Sequence, residues 1–186
     1  MGKMNLPDKK SLEPVLCVDL DGTLIRDDAS VKSLLLLLAR NPLRIFSALL
    51  WLRRGRVHLK REIARRIRLD PAAFSYREDV LAFLREEKAR GRLLVLATAS
   101  DQIYADAIAV HLGIFSEALG SDGTTNLSGP RKGRALAARY GVFSYMGNSR
   151  DDLVVWRRAE EAFAVGVPPK VLRKLQEFKI PARVFP

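Results

Sequence analysis

Two carboxylates separated by a single residue, Asp19 and Asp21, follow a short apolar run and precede Gly22 and Thr23. In an extended segment, residues two apart project to the same side, so both acids can face one pocket while Gly22 lets the backbone turn close to a ligand. That pair suffices for a two-step displacement at phosphorus. One carboxylate attacks and becomes covalently phosphorylated; the other protonates the leaving oxygen and then activates water. Two acids beside a dianionic phosphate repel it unless a hard cation lies between them, so the chemistry also calls for Mg²⁺ and further oxygen ligands. The loop Gly147, Asn148, Ser149, Arg150, Asp151, Asp152 follows the apolar run Phe143 to Met146 and offers them. Two more groups would hold the transferring phosphoryl oxygens. One is the hydroxyl of Thr98, at the end of another apolar run and followed by Ala99 and Ser100; the other is the cation Lys132, after Gly129 and Pro130.

The acid motif alone favours function over a capped turn, whereas Thr98 or Lys132 alone is a weak signal. Asp and Gly are ordinary turn residues, a hydroxyl at a strand end is common, and in so basic a chain a lysine is usually solvated surface. The joint order of acid pair, hydroxyl, lysine and second acid cluster carries the reading.

Such side chains come from distant parts of the chain and need a scaffold that gathers them. Val15 to Asp19 reads as a buried parallel strand, as does Leu93 to Thr98, with weaker versions at Phe143 to Met146 and Ala162 to Val165. Helices are expected at Glu78 to Arg90, at Asp101 to Leu112 behind a capping Ser100, and at Lys132 to Tyr140, closed by Gly91, Gly113 and Gly141. Strands alternating with helices predict an α/β fold, a doubly wound, Rossmann-like parallel sheet that binds ligands at the carboxyl ends of its strands.

The stretch from Asp21 to Thr98 is more than twice as long as that from Thr98 to Lys132, and only the first has room for an inserted domain. Residues 31–74 read as all helix, broken at Asn41 and Pro42 and returning toward the sheet at Asp70 and Pro71. The expected organisation is therefore a core of residues 1–30 and 75–186 with a small helical cap, 31–74, inserted after the first strand. In that cap Leu34 to Leu38, Ile45, Phe46, Leu49, Leu50 and Trp51 stand beside Arg40, Arg44, Arg53, Arg54 and Arg56. Two readings stay open: a helical surface that lies on an acidic membrane, or leucines that pack a small core while arginines face water. The apolar runs fall short of the about 20 residues that span a bilayer.

Composition bounds the rest. A chain of 186 residues with 48% apolar and 28% charged residues should fold throughout. The net charge of +11 implies an anionic neighbour. No nucleic-acid motif or aromatic stacking platform accompanies it, which leaves a phosphorylated substrate or an acidic lipid surface. A lone cysteine, Cys17, excludes an intrachain disulfide and fits a reducing compartment. The polar start, residues 1–14, lacks the apolar core of a secretory signal, so a cytoplasmic location is expected, peripheral at most on the membrane. His58 and His111 receive no catalytic role.

In order and spacing, these motifs resemble the haloacid dehalogenase superfamily over nearly the whole chain. The resemblance implies Asp19 as nucleophile, Asp21 as acid and base, and Lys132 as the family's lysine. It further implies Thr98, Ala99, Ser100 and Lys132 at the substrate, and Asp19, Asp21, Asn148 and Asp152 around Mg²⁺. Because Asp21 is present, it favours phosphate transfer over dehalogenation. Asn148 stands where an Asp is more usual, which gives Asp151 or Asp152 a larger share in ligation. The stretches LVLATASD, HLGIFSEALGSDGTTNLSGPRKG and GNSRDDLVVW are similar to the domain of this superfamily fused to UbiA-type prenyltransferases. That likeness implies a polyprenyl-linked sugar phosphate as substrate and a prenyltransferase as partner. The alternatives are a phosphoserine-phosphatase-like hydrolase of a soluble metabolite and a non-catalytic regulatory module.

Overall fold

A computed structural model describes residues 13–186 of the chain, so most of the N-terminal stretch read above lies outside the described residues. Six strands, β1 (Val15–Val18), β2 (Leu94–Asp101), β3 (Glu117–Ser121), β4 (Phe143–Gly147), β5 (Glu161–Val165) and β6 (Ala182–Phe185), form one sheet in the order β3-β2-β1-β4-β5-β6. Every neighbouring pair is parallel.

Successive strand residues point to opposite faces, and both faces of this sheet are buried. Leu16 and Val18 of β1, Leu94 and Leu96 of β2 and Phe163 and Val165 of β5 join one core cluster. The residues between them, Cys17, Val95, Ala97, Ala162 and Ala164, join a second. A strand buried on both sides reads as a continuous apolar run, which is why β1, β2, β4 and β5 were legible. The two edge strands were not. In β3 only Ser121 is buried and in β6 only Phe185, so neither carries an apolar run.

Three helices, α1 (Ala29–Arg40), α2 (Arg44–Arg53) and α3 (Arg56–Ala64), lead from β1 toward β2, followed by a single 3₁₀ turn at Pro71–Ala73 capped by Asp70. Next come α4 (Glu78–Ala89) and α5 (Gln102–Leu112), which supply Val80, Leu84, Tyr104 and Ile108 to the first core. On the opposite face α6 (Gly129–Tyr140), α7 (Leu153–Trp156) and α8 (Pro169–Gln176) supply Leu136, Trp156 and Leu175 to the second. Three boundaries differ from expectation. Strand β2 continues to Asp101, whose side chain, not that of Ser100, accepts from the Ile103 amide and caps α5. Helix α6 begins at Gly129, so Lys132 lies inside its first turn. Helix α3 stops at Ala64, so the end of the stretch 31–74, read as all helix, is helical only in the short turn Pro71–Ala73.

Arg92, just before β2, is buried and joins three elements. Its guanidinium donates to Glu87 at 2.7 Å, to the Ser144 hydroxyl at 2.7 Å and to the Pro14 carbonyl at 2.9 Å. Removing one member of a buried pair leaves the other charge uncompensated. Arg92→Met is therefore expected to lower the unfolding free energy by about 3–5 kcal/mol in urea titration; a loss under about 1 kcal/mol would contradict a buried, paired role.

Candidate active site

Strand β1 hands the chain to the acid motif between β1 and β4, where the direction of strand succession reverses. Ligands bind at this switch point in open α/β sheets. The Asp19 amide donates to the Met146 carbonyl at 2.9 Å and fixes Asp19 against the end of β4. At Gly22, φ is +77° and a Cβ would lie 2.1 Å from the Asn148 side-chain nitrogen. Only glycine meets both demands, so the first acid loop and the β4 loop pack directly on one another.

Asp19 is 9% exposed and Lys132 is 3% exposed. The Lys132 ammonium donates to Asp19 Oδ1 at 2.6 Å and to the Tyr145 hydroxyl at 2.9 Å. Tyr145 donates in turn to Asp152 Oδ1 at 2.7 Å. Asp152 Oδ2 accepts from the amides of Asn148 and Ser149 and from the Ser149 hydroxyl. One carboxylate thereby folds the β4 loop and anchors the lysine through a tyrosine.

Asp21 is held separately. Its Oδ1 accepts from the Ala29 amide at the start of α1 at 2.7 Å, and its Oδ2 from the Ser100 hydroxyl at 2.7 Å. Thr98 Oγ1 stands 3.4 Å from the same oxygen and accepts from the Ser100 amide. The pairing of β2 with β3 slips between Ala97 and Asp101, and such an irregularity re-aims side chains. As a result Thr98 and Ser100, both fully buried, face Asp21 from behind, and of this trio only Ala99 lines the cavity.

That cavity, of about 330 Å³, is lined by Asp19, Asp21, Lys132, Asn148, Asp151 and Asp152, and from α1, α3 and their approaches by Asp28, Ser30 and Lys60. The acid pair, the lysine and the second acid loop thus meet. Asp28, Ser30, Lys60 and Tyr145 were not singled out from sequence. Tyr145 hides in an apolar strand and Lys60 in a basic helix, and nothing local distinguishes either.

Burial pushes Asp19 up to about 7 against the pull of Lys132, with Asp152 and Asp21 adding repulsion. Burial also raises Asp21, opposed by the Ala29 amide and Ser100. For Lys132 burial disfavours the charge, but Asp19 and Asp152 outweigh it and hold its pKa above the usual value. The acids outnumber the local cations, a deficit that a divalent ion would correct. Among the described residues no group of three or more His, Cys, Asp or Glu side chains is gathered to hold a metal. Asp21 and Asp152 have both oxygens engaged by donors. Asp19 Oδ2, Asn148 and Asp151 are left to the cavity. One or two carboxylates with an amide oxygen suit Mg²⁺, which keeps several waters and takes further oxygens from substrate phosphate.

Sheet order and loop placement define a Rossmann-like α/β domain with its site at the switch point. The sequence profile of the haloacid dehalogenase-like hydrolases matches residues 16–157, and the chain belongs to that family. It is 37% identical over 173 residues to the uncharacterized protein y4nM of Sinorhizobium fredii, covering 92% of this chain and 33% of that protein. The chain thus spans about a third of that relative's length. Among solved structures it is similar to a Bordetella pertussis Tohama I protein of unknown function, with TM-score 0.64, 17% identity and coverage of 90% and 96% of the two chains. It is also similar to phosphoserine phosphatase in apo form, with TM-score 0.60, 17% identity and coverage of 87% and 90%. A structure described as a phospho-aspartyl intermediate analogue of phosphoserine phosphatase gives TM-score 0.59, 17% identity and coverage of 92% of each chain. At these identities the likeness concerns the fold, which is that of the phosphoserine phosphatases. No helix among the described residues is long and apolar enough to cross a membrane.

Among the described residues the Tyr145 hydroxyl is the hydrogen-bonded link between Lys132 and Asp152. Tyr145→Phe leaves Asp152 Oδ1 without its donor, and an expected loss of about 1–3 kcal/mol follows, read by urea denaturation; an unchanged midpoint would contradict the linkage.

Proposed function

We propose that the protein is a Mg²⁺-dependent phosphatase, a phosphoric monoester hydrolase that works through a phosphoaspartate on Asp19. The observation that carries this reading is the 2.6 Å contact of Lys132 with Asp19 in one cavity with Asp21. The fold shared with a phospho-aspartyl intermediate analogue of phosphoserine phosphatase supports it.

Asp19 attacks phosphorus, a new O–P bond forms, and the ester O–P bond breaks. Asp21, kept protonated further up the pH scale by burial, gives its proton to the departing alkoxide. It then takes a proton from the water that attacks the acyl phosphate, which frees Asp19 and inorganic phosphate. Lys132 holds Asp19 in line and neutralises charge on the phosphoryl oxygens, with the Ala99 segment alongside. Thr98 and Ser100 act by fixing Asp21. Mg²⁺ held by Asp19, Asn148 and Asp151, whose oxygens are left to the cavity, would supply charge neutralisation and orient the phosphate. Asp21 or Asp152 would join the set only by sharing an oxygen with its present donor.

Residues 31–74 serve in this reading as the cap that selects the substrate. A lipid-linked ester, of the polyprenyl sugar phosphate kind, is favoured by the exposure of Leu43, Phe46, Leu49 and Leu50 next to Arg44, Arg53 and Arg54. Helix α2 buries only Ala48, which argues against a cap core made from its leucines and for a helix lying on an acidic membrane face. A UbiA-type prenyltransferase as partner, and a position on the cytoplasmic side, rest on the sequence resemblance. A soluble-metabolite phosphatase is favoured by the phosphoserine phosphatase fold alone, and a non-catalytic module by Asn148 alone.

Phosphate release from a panel of monoesters, with Mg²⁺ or with EDTA, separates these readings. Turnover is expected only with the metal, and Asp19→Asn should lower it by at least about a thousandfold. Hydrolysis retained in Asp19→Asn would refute the nucleophile, and absence of turnover on every ester would favour the regulatory module. Acidic vesicles are expected to raise turnover of the prenyl-linked ester only.

A further inference from the structure

The acid cavity adjoins a second one. This neighbour, of about 230 Å³, lies between α1 and α3 and is lined by Leu34, Leu52, Leu59 and Ile63 together with Tyr104. The surface it presents is mostly apolar, although Ser33 and Arg56 also border it. Ser30 and Lys60 line both cavities, so the two meet at those side chains. The Lys60 ammonium donates to the Ala99 carbonyl at 2.8 Å, on the side of the acids. Its position on both walls is that of a long side chain with a charged head and an apolar stem. At the outer side, Val31 and Leu52 are 52% and 44% exposed.

An apolar cavity in contact with water gains stability when hydrocarbon fills it. A cavity of roughly 150 Å³ already accepts a guest the size of benzene, and this one is larger. It opens beside the atoms that would hold a phosphate, and Lys60 marks the change from polar to apolar wall. We propose that the α1/α3 cavity is a substrate subsite for a hydrocarbon chain attached next to the phosphate, which narrows the lipid-linked ester named above to one without a sugar between chain and phosphate. The first carbons of the ester lie among Leu34, Leu59 and Ile63, and the chain leaves past Val31 and Leu52. The assignment of the phosphate end rests on the phosphatase reading; the assignment of the chain does not.

The test uses the full chain with Mg²⁺ and unbranched alkyl phosphates from methyl to octyl. Each methylene that enters the cavity should raise kcat/KM about fourfold until the cavity is full, with the change in KM. Binding of the matching alkyl phosphonates, which lack the cleavable ester bond, should follow the same slope by calorimetry. Leu59→Trp, which fills the cavity, and Leu34→Gln, which makes it polar, should each flatten that slope in variants whose circular dichroism is unchanged. Flat series for both phosphates and phosphonates in the unaltered protein would overturn the subsite. A slope that survives both substitutions would overturn its location. Hydrolysis without chain dependence would leave the phosphatase reading standing and remove this one. Chain-dependent phosphonate binding without hydrolysis of any ester would do the reverse.

Discussion

Asp19 is buried beside one ammonium at 2.6 Å while Asp21 and Asp152 crowd the same pocket. A carboxylate in that position is tolerated only if its counter-charge cannot move away, since an unpaired buried charge is costly. The route from Lys132 through Tyr145 to Asp152 and the Ser149 amide meets that requirement. It draws on helix α6, strand β4 and the loop that follows β4. Because each of these is packed into a core, the lysine has little freedom, and the acid loop is fixed from the opposite side by the Met146 carbonyl. Burial outweighs the pull of Lys132 and pushes Asp19 up to about 7, with Asp152 and Asp21 adding repulsion; a cation beside it would lower that cost.

Much of this was legible from residue order. The alternation of apolar runs and glycine-closed helices gave the sheet, because strands buried on two faces leave an unbroken signal. The acid pair, Lys132 and the second acid loop were readable because loops at strand ends converge at a switch point whatever the intervening sequence. What escaped was decided by three-dimensional detail. The slip of β2 against β3 turns Thr98 and Ser100 onto Asp21, and no local pattern announces it. Tyr145 is one more large residue in a buried strand, and Lys60 is one basic residue among many in residues 56–68. Edge strands β3 and β6 are too little buried to leave an apolar run.

The helices between β1 and β2 divide into two environments. Ser33 and Leu37 of α1 and Ile63 and Ala64 of α3 are buried. Arg61 reaches the carboxylate of Asp101 at 3.2 Å, and the Tyr104 hydroxyl donates to the Ile67 carbonyl at 2.9 Å. These contacts fix α3 over the end of β2, where Lys60 enters the cavity. Helix α2 has no comparable burial and exposes its apolar side chains between arginines. Membership of the haloacid dehalogenase-like hydrolases accounts for the sheet and the acid loops; the proposed choice of substrate rests on these helices.

The account stands or falls on a covalent bond between Asp19 and phosphorus. Rapid acid quenching of the protein during turnover of a monoester with Mg²⁺, followed by mass spectrometry of its peptides, locates that bond. The expected result is one phosphoryl group on the peptide that carries Asp19, formed and lost at rates that match turnover. Steady turnover with that peptide unmodified, or with the phosphoryl group on another residue, would contradict it.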